Sequence, residues 1–266
     1  MKTTILILAV SVSIGTSIVH GQSLPNADYI VKQTKDRDDG EFMSQDIKLE
    51  LISKSGKTRT QETRVFRKYY GDERRQAIFY TYPSNVAGTG FLVYDYPDVD
   101  KDDDQWLYLP ALRKTRRVSA SNRGDYFLGT DLTYEDIKLG PKIGDEDYTH
   151  ETVGSEMIDG HQCYIVESVP IDEKTAKELG YSKARAWVDA EIWIVRKGEF
   201  WDIAGNKLKT VYVEGVTEIQ GIWSPGMFKV VNHKNGHKSN FIFSNIDYST
   251  PVGDETFTEQ ALVRGI

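Results

Sequence analysis

Residues 42–82 read FMSQDIKLELISKSGKTRTQETRVFRKYYGDERRQAIFYTY, and their periodicity decides the fold class. Met43, Ile47, Leu49 and Leu51 alternate with Ser44, Asp46, Lys48 and Glu50, which gives a strand with one dry face and one wet face. The joints Lys54-Ser55-Gly56 and Gly71-Asp72 are short and made of turn formers, so the stretch is expected to be three strands, 42–53, 57–70 and 73–82, joined as hairpins. The second strand has little apolar surface before Val65-Phe66 and is expected to project beyond the core or to lie at a sheet edge.

Working outward, residues 27–34 carry Ala27, Ile30, Val31 and Thr34 at helical spacing behind a cap candidate and Pro25, which predicts one short amphipathic helix. Further strands are expected at 90–96, 106–109, 148–157, 161–169, 184–195, 207–220, 226–233 and 239–248, with a helical turn or two at 172–179. Trp106-Leu107-Tyr108-Leu109 is large and apolar on both faces and suits a strand covered on each side. In 184–195, Ala186, Val188, Ala190, Ile192 and Ile194 share a face and suit a concave surface. Asn235-Gly236 predicts a two-residue hairpin. No long helices separate the strands, so a parallel sheet with crossovers is disfavoured. The expected fold class is mainly β: a curved antiparallel open barrel, or half-barrel, of about ten or eleven strands with short helices closing its mouth.

The chain of 266 residues is 39% hydrophobic and 27% charged, the composition of a folded globular protein. Its formal charge of −7 becomes −8 if a leader containing Lys2 is removed, so nucleic acid is not an expected partner. Lys2, the apolar run 5–19 and Val19-His20-Gly21 together predict a signal peptide over residues 1–21, followed by a single domain over 22–266. No cysteine follows the cleavage site, so the mature chain is not expected to be a lipid-anchored lipoprotein itself. The lone Cys163 lies within an apolar alternation and reads as a buried, inert thiol.

Two features stand out downstream of the central strand. Arg113, Lys114, Arg116 and Arg117 place four cations in five residues of an acidic protein. Tyr126-Phe127-Leu128 then follows Gly124 and precedes Gly129, a bulky apolar segment with turn residues at both ends and a candidate for a moving closure. Leu107-Tyr108-Leu109-Pro110-Ala111-Leu112, Lys114 and Arg116-Arg117, followed by Phe127, Gly129-Thr130-Asp131 and Thr133-Tyr134-Glu135-Asp136, resemble the outer-membrane lipoprotein-sorting proteins, the LolA-like carriers. Weaker echoes are Gly88-Thr89-Gly90-Phe91-Leu92, Trp187-Val188-Asp189, Leu208-Lys209-Thr210, Gly221-Ile222-Trp223, Phe257-Thr258 and Leu262.

The resemblance implies a periplasmic carrier that shelters lipid or lipoprotein acyl chains in a hydrophobic cavity. It also implies an inner-membrane exporter and an outer-membrane acceptor as partners, with no cofactor and a monomeric chain. Candidate cavity residues on this reading are Phe91, Val93, Trp106, Tyr108, Phe127, Leu128, Tyr134, Val188 and Ile192. Arg113, Lys114, Arg116 and Arg117 are candidates for docking a headgroup or an acidic partner, although a solvated hairpin face explains such a cluster equally well.

Catalytic and metal chemistry are weakly represented. Among His20, His150, His161, His233 and His237 no pair has the spacing of a zinc helix, and no G-x-S-x-G elbow raises a serine. Asp98, Asp100, Asp102 and Asp104 have the spacing of a calcium loop, but Asp103 and Leu109 stand where glycine and glutamate belong, so a solvated acidic loop is expected. No catalytic residue and no metal ligand is therefore assigned. The alternatives to a carrier are an envelope lipid hydrolase and a non-catalytic adaptor that docks a membrane exporter.

Overall fold

The computed structural model describes residues 24–98 and 101–266. The expected leader and Asp100 lie outside the described residues. Helix α1 (Ala27–Asp36) is capped by the Asn26 side chain, which accepts from the Asp28 amide, and it buries Ala27, Ile30, Val31 and Thr34 as their spacing predicts.

Six strands follow: β1 (Phe42–Ile52), β2 (Thr58–Tyr70), β3 (Glu73–Tyr82), β4 (Gly90–Asp95), β5 (Asp104–Leu109) and β6 (Lys114–Arg117). Then come the short helix α2 (Tyr134–Leu139), the hairpin of β7 (Tyr148–Ile158) and β8 (His161–Pro170), and helix α3 (Glu173–Leu179). The remainder is β9 (Lys183–Asp189), β10 (Val195–Trp201), β11 (Lys207–Glu214), β12 (Thr217–Ile219), β13 (Ile222–Ser224), β14 (Met227–Asn232), β15 (Lys238–Asp247) and helix α4 (Glu259–Arg264).

Thirteen strands form one antiparallel sheet in the order β6-β5-β4-β3-β2-β1-β15-β14-β11-β10-β9-β8-β7, and β12 pairs with β13 alone. The sheet does not close, since β6 and β7 are its two edges. The strands beyond the expected ten or eleven are β6, β10, β12 and β13. Lys114–Arg117 is a strand because an edge tolerates cations that an interior strand would not. Residues 184–195 are interrupted after Asp189, whose carboxylate accepts from the amides of Glu191 at 2.9 Å and Ile192 at 3.1 Å and turns the chain into β10. Residues 207–220 break likewise after Glu214, and β12 is a separate piece.

Two smaller expectations also change. β2 is interior, between β1 and β3, and its polar first half is explained by projection, because residues before Glu62 have no β3 partner. The loop around Asn235-Gly236 runs from His233 to His237 and is held by the Asn232 side chain, which accepts from the amides of Lys234 and Asn235.

The core lies on one face of the curled sheet, where Met43, Leu49, Val65, Ile78, Tyr80, Phe91, Val93 and Leu107 of one wing meet Val213, Phe228, Val230 and Phe241 of the other. The opposite face of β3 to β5 is covered by α4 and Phe257, with Phe79, Leu92, Trp106 and Tyr108 packed beneath. That double cover is what the apolar alternation of 106–109 requires. Because β6 and β7 are opposite edges, the chain between them must cross the mouth of the half-barrel, and residues 118–147 do so. Gly124 permits the crossing: a Cβ there would stand 2.5 Å from the carbonyl oxygen of Glu178 and 2.6 Å from that of Leu179.

Candidate functional site

The crossing segment is locked at its far end by a buried polar network. Asp131 receives hydrogen bonds from Ser239 Oγ at 2.6 Å and Asn232 Nδ2 at 3.0 Å, and His237 Nδ1 lies 2.6 Å from its second oxygen. Lys209 is fully buried. Its ammonium donates to the Asp131 carbonyl at 3.1 Å, to Tyr181 Oη at 2.6 Å and to the Asp136 carboxylate. Tyr181 donates to the same carboxylate at 2.8 Å, and burial drives its phenol pKa far above the ordinary value. Burial pulls Lys209 below the usual lysine range, against the opposing pull of Asp136. Asp136 also accepts from the Thr133 amide, closing the capping box that starts α2.

Between this lock and the mouth lies an apolar hollow of ≈ 120 Å³, bordered by Met43, Ile47, Leu49, Val65, Phe228, Phe241 and Phe243 from the sheet and by Phe127, Leu132 and Leu139 from the crossing segment. A second hollow of ≈ 90 Å³ lies on the other side of α2, bordered by Tyr148, Tyr181, Val195, Phe200, Val211 and Val213. Both touch Leu132, Leu139, Pro141 and Phe228, so the crossing segment is the wall between them. The Tyr80 hydroxyl borders the larger hollow, buried and without a partner. Its pKa is raised by burial.

The cross-strand registers set a polarity gradient along the hollow. Leu49 and Phe241 pair at the locked end, Ile47, Thr63 and Tyr80 come next, then Gln45, Val65 and Ile78, and last Met43, Arg67 and Gln76. The mouth is therefore charged. Arg67 donates to Asp39 at 2.8 Å and Lys142 lies 3.1 Å from the same carboxylate. Burial raises Asp39, but these two cations outweigh it and hold its pKa below the usual range. Arg74 meets Asp95 at 2.8 Å, and Lys138 bridges Asp103 at 2.5 Å and Glu135 at 2.8 Å. These groups, Arg67 apart, border a polar cleft of ≈ 940 Å³.

The sequence-derived candidates distribute unevenly around this site. Phe91, Val93, Phe127, Leu128, Tyr134 and Ile192 gather in or against the inner core, and Phe127 borders the larger hollow. Its ring lies 5.0 Å from Phe91 and 5.4 Å from Tyr134, and its side chain is 2% exposed. Trp106 and Tyr108 do not join them. They are on the outer face beneath α4, because β5 presents Leu107 inward. Val188 is also elsewhere, packed against α1 through Ala27, Ile30 and Val31.

Arg113, Lys114, Arg116 and Arg117 sit at and beside edge strand β6, all exposed. Arg117 pairs with Asp104, and burial raises the Tyr134 phenol against the opposing charge of Arg116. None of the four borders the hollow. Cys163 is fully buried, and desolvation pushes its thiol up to about 11.

Asp136 and Lys209 carry a local signal, since Thr133 and Asp136 have capping-box spacing and Lys209 stands in an apolar strand, whereas the partners of Asp131 are about a hundred residues away. The mouth residues Arg37, Arg67 and Arg74 carry no local signal. Neither of two histidine–serine neighbourhoods among the described residues builds a triad. Ser239 and His237 both contact Asp131 instead of one another, and Ser168, 2.9 Å from His150 Nδ1, has no carboxylate behind that imidazole, whose Nε2 is buried without a partner. Among the described residues no cluster of three or more His, Cys, Asp or Glu side chains is arranged to hold a metal ion. In the acidic loop, Asp103 engages Lys138 and the Tyr96 amide, and Asp104 engages Arg117 and the Tyr96 hydroxyl.

An unclosed antiparallel half-barrel, crossed by a helical segment over an apolar hollow, is a LolA-like fold. A family profile described as "Uncharacterized protein"-like matches residues 72–264, and the chain belongs to that family. A DUF1329 family protein from Desulfovibrio piger is 27% identical, with 88% of this chain and 97% of that one covered at a TM-score of 0.80. A domain described as an outer-membrane lipoprotein-sorting protein, from Vibrio parahaemolyticus, is 26% identical, covering 90% and 98% at 0.80. A LolA superfamily protein from Nitrosomonas europaea, 21% identical over 89% and 99% with a TM-score of 0.66, shares the fold. No curated protein matches the chain.

Proposed function

We propose that this protein is a non-catalytic carrier that takes up a lipid acyl chain in the hollow beneath its crossing segment and moves it across the bacterial envelope. The observation that carries the reading is the apolar hollow itself, walled by Met43, Ile47, Phe228, Phe241 and Phe243 and open at one charged end. Burying a sixteen-carbon chain yields roughly 12 kcal/mol gross, at about 0.8 kcal/mol per CH₂, before ordering costs are deducted. That is enough for carriage through water.

Drug-sized ligands occupy pockets of roughly 300–1,000 Å³. The compartments of ≈ 120 and ≈ 90 Å³ are smaller, so loading requires α2 and its flanks to shift and merge them. Likeness to a lipoprotein-sorting domain and to a LolA superfamily protein supports a carrier working in the periplasm, and no helix among the described residues is long and apolar enough to cross a membrane. On this reading residues 1–21 are a signal peptide, residues 22–266 are one domain, and an exporter and an acceptor flank the transfer.

Native mass spectrometry of the purified mature protein, followed by organic extraction, tests the proposal. Adducts of lipid mass that extract as acyl lipids are expected. A preparation that stays empty after incubation with envelope lipids contradicts it, and free fatty acid released with turnover moves the assignment to a hydrolase.

A further inference from the structure

The mouth of the hollow contains three guanidinium groups that its carboxylates do not saturate. Arg37, Arg67 and Arg74 all border the hollow, and each has a buried Nε without a hydrogen-bond partner. The Nη atoms of Arg67 are used on Asp39 and the Gly40 carbonyl, and Arg74 reaches Asp95 and the Lys138 carbonyl. Arg37 differs, because Nη1 donates only to carbonyls, of Asp38 at 3.1 Å and Trp223 at 2.9 Å. Among the described residues no carboxylate lies within ion-pair distance of it.

Of the mouth cations, Arg67 and Lys142 share Asp39, Arg74 has Asp95, and Lys138 has Asp103 and Glu135. Arg37 is left over. A half-buried cation with no carboxylate in contact is costly, and burial lowers its pKa against the opposing longer-range pull of Asp39. Met43, Ile47 and Phe243 border the same hollow as Arg37, so an anion seated at the mouth has hydrocarbon lining beyond it.

We infer that Arg37, with the unpartnered Nε–H groups of Arg67 and Arg74, forms an oxyanion seat, and that the cargo is an anionic amphiphile: a carboxylate or phosphate at the mouth with a single acyl chain running into the hollow. Guanidinium groups suit both oxyanions. The inference rests on the carrier reading. It places the headgroup inside the mouth and not at the basic edge strand of Lys114 and Arg116, and it disfavours a neutral, triacylated terminus as the cargo.

Binding of palmitate, 1-palmitoyl-lysophosphatidate and hexadecanol to the purified mature protein separates the possibilities. One or both anions are expected to bind about tenfold or more tighter than hexadecanol, the size of a charge-assisted hydrogen bond. Arg37→Gln should bring the favoured anion down to the hexadecanol level and leave hexadecanol unchanged, whereas Lys114→Gln should change none of the three. Equal affinity for all three ligands in the wild type overturns the seat and leaves the carrier intact, as does equal weakening of anion and alcohol by Arg37→Gln. Loss of anion binding in Lys114→Gln moves the headgroup to the edge strand. No binding of any of the three overturns the carrier reading as well.

Discussion

Lys209 has no exposed surface, and its hydrogen-bond partners belong to or face the crossing segment: the Asp131 carbonyl, the Asp136 carboxylate and Tyr181. Removing one member of such a pair strands the other, so Lys209→Met should destabilise the protein by about 3 kcal/mol or more in urea titration. The double variant Lys209→Met with Asp136→Asn should lose less than the sum of its parts, because no orphaned charge remains. Full additivity would show that the two residues do not act together. Phe127 is held just as firmly, between Tyr80, Phe91 and Tyr134. The loop over Tyr126-Phe127-Leu128, for all its glycines, is therefore a plug tied to the core, and motion must involve the longer segment around it.

At the scale of elements, the crossing segment depends on close approach to α3. Gly124→Ala should cost about 1–3 kcal/mol, because the new methyl meets backbone oxygens that cannot rotate away. Thermal unfolding checks this, and an unchanged midpoint would mean that the segment is free to lift there. Much of this level was legible from the residues. The hairpins of 42–82, the capped helix α1 and the doubly covered strand around Leu107 follow from period and turn chemistry.

What escaped did so for physical reasons. β6 is nearly all cations and has no apolar period to read, while the alternation over 184–195 runs on from β9 through the Asp189 turn and hides the break before β10. Helix α2 has six residues, too few for a period, although its capping box was visible. Inward and outward faces of a strand covered on both sides look alike in sequence, which is why Trp106 and Tyr108 were expected in the cavity and lie beneath α4. The arginine mouth is assembled from α1's exit, β2 and β3, and no single stretch announces it.

At the scale of the whole molecule, two buried or half-buried carboxylates bear on acid stability. Burial raises both Asp39 and Asp189, but Arg67 and Lys142 outweigh it for the first, and the Glu191 and Ile192 amides with Arg196 outweigh it for the second. Both folded pKa values are therefore depressed. Their stabilisation is fully present above the unfolded value of about 4 and is lost as pH falls through the lower folded values. Stability measured by denaturant titration should include a decline below about pH 4 from these two groups, with Asp39→Asn flattening that part of the decline. A decline of unchanged steepness in the variant would remove Asp39 from the explanation.

On the carrier reading, hydrocarbon enters between the sheet and the crossing segment. Photo-crosslinking with a diazirine-bearing palmitate, mapped by peptide mass spectrometry, tests that most directly. Adducts are predicted on Met43, Ile47, Phe228, Phe241 or Phe243, all bordering the larger hollow. Adducts confined to the outer face, around Trp106, Tyr108 and α4, or their complete absence from the inner wall, would contradict it.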